Sequence, residues 1–188
     1  MSQTRLLALV GSLRAASINR RLAEAAVRTA PEGVDIAIYE GLSDIPFYNE
    51  DLDVEGAVPA AAQALRDAVG ASDGLLIFTP EYNGTLPAVL KNAIDWASRP
   101  YGAGALKARP VAVVSASISS NAAKWSHGDA VKAFGVAGAL VVDDASLNFG
   151  GIGQRFGETH PADDAEALTQ LAATVHQLNE AAKAAANA

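Results

Sequence analysis

Short apolar runs alternate along this chain with longer segments whose apolar residues recur every three or four positions, and this alternation restricts it to few folds. The runs cover residues 6–10, 34–39, 75–79, 111–115 and 139–142. The first is bounded by Gly11 and nearly unbroken, which suits a strand buried on both faces of a sheet. Helical spacing predicts helices over residues 18–29, 58–70, from near Thr85 through Ala97, 121–134 and 161–186. Ser17 is placed to cap the first of these, whose inner stripe is Leu22, Ala25, Ala26 and Thr29. Pro59 and Pro87 fall in first turns, where a missing N–H costs nothing.

Strand–helix alternation from end to end implies a mainly parallel sheet with helices on both sides. Five strands with five helices match the flavodoxin-like arrangement, an α/β three-layer sandwich with strand order 2-1-3-4-5. In that order strands one and three are neighbours whose connections leave to opposite faces. The loops after them, residues 11–20 and 80–85, should then face each other across a ligand.

Composition narrows the function. The 188 residues, half of them hydrophobic, make one ordinary domain, and no repeat or linker divides residues 1–188. The absence of cysteine excludes disulfides, thiolate metal sites and cysteine nucleophiles, and fits a reducing compartment. A formal charge of -7 argues against a nucleic-acid partner. The opening run is too short for a secretory leader, and no uncharged apolar stretch approaches the roughly 18 residues of a membrane span. A soluble cytoplasmic protein with no membrane partner is expected.

The first loop, Gly11-Ser12-Leu13-Arg14-Ala15-Ala16-Ser17-Ile18-Asn19, runs into a helix start. Unpaired N–H groups and the helix dipole there favour an anion. The Ser12 and Ser17 hydroxyls, the Asn19 amide and the Arg14 guanidinium are further donors, and together they suit a phosphate. The plainer alternative is that Ser17 only caps its helix and Arg14 is solvated. Neither G-x-G-x-x-G nor the P-loop pattern is present, so a dinucleotide Rossmann site and a P-loop are not supported. In the second loop, Pro80-Glu81-Tyr82-Asn83-Gly84, the Asn-Gly pair suits a tight turn of positive φ that leaves backbone N–H groups pointing outward. Such a turn beside Tyr82 fits the edge of a flat heteroaromatic ring. An ordinary strand-to-helix turn capped by Thr85 is the alternative.

These loops, together with Ile45-Pro46-Phe47-Tyr48-Asn49-Glu50-Asp51 and Leu90-Lys91-Asn92-Ala93-Ile94-Asp95-Trp96, carry a family resemblance. The chain resembles the NAD(P)H-dependent FMN reductases, especially the branch of chromate and quinone reductases, densely from Leu6 to Ser98. The resemblance implies that Ser12, Arg14, Ser17 and Asn19 hold the FMN phosphate. It further implies that Pro80, Glu81, Tyr82, Asn83 and Gly84 border the isoalloxazine ring, largely through backbone groups. NADPH or NADH would reduce the flavin, and a quinone, azo compound, metal oxyanion or free flavin would take the electrons in a ping-pong scheme. No side chain is expected as an essential nucleophile. In that family the third helix contributes to dimer packing, so a homodimer or homotetramer is expected and Trp96 is either an interface anchor or a core residue.

The match departs in the third loop, where the family often has glycines and this chain has Ser115-Ala116-Ser117-Ile118-Ser119-Ser120-Asn121. Ser115 and Ser117 are expected to reach the ring or the ribityl chain. Trp125 and His127 are also unlike the pattern, and His127 is expected on a helix surface rather than as an acid. Asp143-Asp144 reads as a solvated strand end, and no histidine spacing suggests a metal. Two rivals remain: a flavodoxin-type electron carrier that binds FMN without oxidising pyridine nucleotides, and a hydrolase or phosphotransferase on the same scaffold.

Overall fold

The computed structural model describes residues 3–187. In chain order the elements are β1 (Thr4–Val10), α1 (Ile18–Arg28), β2 (Val34–Ile38), α2 (Ala60–Ala71), β3 (Gly74–Thr79) and α3 (Ala88–Ala97). Then come β4 (Pro110–Ala116), α4 (Lys124–Val136), β5 (Leu140–Val141), β6 (Leu147–Phe149), a single-turn α5 (Ile152–Arg155) and the long α6 (Ala165–Ala186). All strand pairs are parallel, in the order β2-β1-β3-β4-β5, with β6 also on β4. The chain first steps from β1 out to β2 and then back past β1 to β3. Right-handed crossovers in opposite directions put their helices on opposite faces. Accordingly Leu6, Ala8, Val10, Leu76, Phe78 and Val114 pack on α1 and α6, while Leu7, Leu9, Leu75, Ile77 and Val113 pack on α2, α3 and α4. Each fully buried leucine or phenylalanine contributes about 1.5–3 kcal/mol.

The expected strand order holds, with one correction. The fifth strand is broken in two: β5 pairs with Pro110 and Val111, and β6 pairs with Val114 to Ala116. Between them Asp143–Ala145 forms a 3-10 turn that buries Ala145 and leaves both aspartates exposed. The break sits on a sheet edge, where a lost pair of ladder bonds is tolerated because water replaces them.

Helix starts also differ from expectation. α3 begins at Ala88 with Pro87 as its N-cap, because Tyr82 and Thr85 exchange two backbone hydrogen bonds and hold the preceding segment as a hairpin. α4 begins at Lys124 because Ala122 and Ala123 both adopt left-handed backbone, at φ 57° and 56°. Pro161–Asp163 is a separate 3-10 turn, after which Asp164 caps α6 by accepting from Ala167 N at 2.8 Å.

Candidate cofactor-binding site

Strands β1 and β3 end side by side at the point where the winding reverses, and the two following loops touch. Gly11 N donates to Phe78 O at 2.8 Å, and the Tyr82 hydroxyl lies 3.4 Å from Ser12 Oγ. A Cβ on Gly11 would fall 2.5 Å from Leu90 Cδ1 and 3.3 Å from Pro80 Cδ, so a larger residue would force Leu90 to move.

Ser17 caps α1, its hydroxyl accepting from Arg20 N at 3.4 Å. The N–H groups of Ile18 and Asn19, in the first turn, have no carbonyl one turn behind them. Ser12 and Ser17 are buried, whereas Arg14 is exposed and turns its guanidinium to Ala16 O at 3.2 Å. Arg20 is not free for an anion, since Glu40 grips it through two oxygens, the longer contact at 2.6 Å, and Glu24 through a third at 3.0 Å. Asn19 is buried at the start of α1. Its amide nitrogen gives one hydrogen to Ala116 O at 3.4 Å, while its buried Oδ1 has no partner. An unpaired buried acceptor calls for a donor. The hydroxyl of a ligand's sugar chain supplies one, and a bare phosphate does not.

In the second loop Asn83 (φ 52°) and Gly84 (φ 76°) form the expected positive-φ turn. Glu81 does more than line it. Its carboxylate accepts from Trp125 N at 3.0 Å and Ser126 N at 3.2 Å, capping α4, which has no cap of its own. Ser126, fully buried, bonds Pro80 O at 2.8 Å and Thr79 Oγ1 at 2.7 Å. Thr85, rather than capping α3, has its hydroxyl 2.5 Å from Asp129. The second loop is thereby bolted to α4.

The third loop corrects two expectations. Ser115 is fully buried, its hydroxyl donating to Ala122 O at 2.7 Å and accepting from Asn148 Nδ2 at 2.6 Å, so it offers nothing to a ligand. Ser117, by contrast, is near the surface and 2.9 Å from Ser119 Oγ. His127 is half-buried rather than on the helix surface. Asn148 Nδ2 gives its second hydrogen to His127 Nδ1 at 2.9 Å, which leaves the hydrogen on Nε2, 3.3 Å from Ser146 Oγ. Burial lowers the imidazole pKa from its ordinary value, against a smaller upward pull from Asp143. Gly150 lets this loop close, because a Cβ there would come 3.2–3.3 Å from Ala122 Cβ and the Ser119 and Ser120 carbonyls.

Trp96 proves to be core. It is buried, donates Nε1–H to Pro46 O at 2.8 Å, meets Tyr48 edge-on at 5.0 Å, and carries the Arg66 guanidinium 5.4 Å from its ring. Asn92 accepts from Tyr48 N at 2.8 Å and donates to Pro46 O at 3.0 Å. Two of the recognisable segments are thus one unit: α3 satisfies the backbone of the loop around Pro46. Among the described residues no cluster of three or more metal-type ligands occurs, and no helix is long and apolar enough to cross a membrane.

Winding and cleft define a flavodoxin-like α/β protein. More particularly, the chain belongs to the NADPH-dependent FMN reductase family, whose model matches residues 4–154. It is similar to a quinone reductase of Pseudomonas putida, 48% identical over 118 residues, a match spanning 62% of each chain. It is also similar to an NAD(P)H-dependent FMN reductase of Pseudomonas aeruginosa, 45% identical over 96 residues and 51% of each chain. Among solved structures, FerB from Paracoccus denitrificans, a flavoenzyme NAD(P)H:(acceptor) oxidoreductase, superposes with a TM-score of 0.81 at 26% identity. That match covers 94% of this chain and 98% of FerB.

Proposed function

We propose that this protein is an FMN-dependent NAD(P)H oxidoreductase that passes electrons by a ping-pong scheme to a small soluble acceptor. The observation that carries the reading is the meeting of the first and second loops at the winding switch, with Tyr82 and Ser12 3.4 Å apart, in a chain of this family. The cleft fits the cofactor. Ser12, Ser17, Arg14 and the first-turn N–H groups of Ile18 and Asn19 would hold the phosphate. Asn19 Oδ1 would accept from a ribityl hydroxyl, and Pro80 to Gly84 with Ser117 would border the ring. Bound FMN would supply the redox chemistry that links NAD(P)H oxidation to reduction of the acceptor. The protein binds, orients and admits. No nucleophile or general acid is required, and His127 serves Asn148 rather than the reaction.

A cytoplasmic site of action accords with a nicotinamide electron donor. A groove of about 730 Å³ between α3 and α4, with exposed Tyr101 and Val136 on its rim, supports a homo-oligomer. Sedimentation should return a dimer or tetramer, and a monomer at micromolar concentration would contradict that assembly. Steady-state assays test the activity: flavin-loaded protein should consume NAD(P)H when a quinone is added. Flavin binding without NAD(P)H consumption would leave an electron carrier instead.

A further inference from the structure

The three loops at the carboxyl edge of the sheet leave four large apolar side chains in solvent. Leu13 is 58% exposed, Tyr82 47%, Ile118 81% and Trp125, at the start of α4, 64%. Apolar groups gathered round a cleft mark a contact surface on a soluble protein. Tyr82 is tied to Ser12 through its hydroxyl, and Trp125 is held through its backbone and its neighbours. Its backbone N–H is held by Glu81 at 3.0 Å, and the adjacent Ser126 is locked onto Thr79 and Pro80. The Cε3–Cζ3 edge of its six-membered ring approaches Gly84, where an added Cβ would come 3.4 Å from Cε3. An indole braced in this way loses little freedom when a flat molecule lies against its face. The chain's net charge of -7 disfavours the approach of a free compact anion.

We propose that Trp125 is a specificity-determining residue for the electron acceptor, stacking planar aromatic acceptors of the quinone class at the mouth of the cleft and favouring them over compact anions. The inference rests on the cleft being the flavin site and adds to that reading the chemical class of acceptor. The side chain makes no contribution to electron transfer itself. It raises the occupancy of flat acceptors.

The test compares Trp125→Leu, which keeps apolar bulk without a π face, and Trp125→Phe, which keeps a flat ring. Flavin content of the unsubstituted protein is measured first. The kcat/KM ratio of 1,4-naphthoquinone to ferricyanide is then determined for all three proteins. Calorimetry of the oxidised, flavin-loaded forms with 1-naphthol, which draws no electrons there, reads binding apart from turnover. Loss of base–aromatic stacking sets the expected size. Trp125→Leu should lower the ratio and the 1-naphthol affinity about tenfold, chiefly through KM, and Trp125→Phe should keep both within about threefold. An unchanged ratio and affinity in Trp125→Leu overturn the role of Trp125 while leaving the flavin site intact. Failure of the unsubstituted protein to take up flavin overturns the site reading and this inference with it.

Discussion

Trp96 gives its indole N–H to Pro46 O while Asn92, one turn earlier on α3, spends its amide on the same loop. Trp96→Ala should cost about 3–5 kcal/mol, as for other large buried aromatics. Denaturant titration checks this, and the loss should be the same across protein concentrations. A loss that vanished at high concentration would return Trp96 to an interface. His127 gives a second residue-scale prediction. Its folded pKa is lowered by burial, so the unfolded chain binds the proton more readily. The neutral imidazole's contribution is therefore complete above the ordinary histidine value of about 6.5 and is lost as pH falls through it toward the folded value. Thermal melts at pH 7 and pH 5 should show a larger drop for the native protein than for His127→Gln, with hydride-transfer rates alike; equal drops would contradict the buried network. Arg14→Ala should weaken FMN binding by roughly 1.5–3 kcal/mol, the worth of a hydrogen bond to a charged group. Fluorescence titration reads this, and unchanged affinity would remove Arg14 from the phosphate site. At this scale the sequence disclosed residue types but not partners. Ser17 as a cap needs only its neighbours. Ser115 facing Ala122 and Asn148, and Asn19 turning to Ala116, depend on chain segments far apart.

Elements follow the same divide. The four longer strands were legible because unbroken apolar runs suit a sheet buried on both faces. The last was not. Leu147–Phe149 pairs with β4 although it lies in a stretch that reads as loop, and the turn at Asp143–Ala145 hides its continuity with β5. The start of α4 was misplaced because two alanines take a conformation that glycine takes more easily. The cap of that helix comes from Glu81, 44 positions before the Trp125 N–H it accepts from. Glu81→Ala should lower stability by about 0.5–2 kcal/mol, the usual range for a lost cap, and should loosen the second loop. Hydrogen exchange checks both: the amides of Trp125 and Ser126 should exchange faster, while those of α6 stay protected. Unchanged protection at α4 would show that the cap does not hold it.

For the whole molecule, the winding order and the place of the cleft followed from the alternation of strands and helices. Parallel crossovers of one hand leave little freedom once β1 and β3 are neighbours. The side chains that couple the three loops, from Tyr82–Ser12 through Glu81 to Asn148–His127, became visible only in three dimensions. They make the cleft one rigid mouth rather than three independent turns. The central claim is that this mouth seats a phosphorylated flavin, and titrating purified protein with FMN tests it most directly. The account predicts stoichiometric uptake, a yellow protein with bound-flavin absorbance after gel filtration, and weaker uptake of riboflavin, which lacks the phosphate. A protein that stays colourless through the titration, or that holds riboflavin as tightly as FMN, would contradict it.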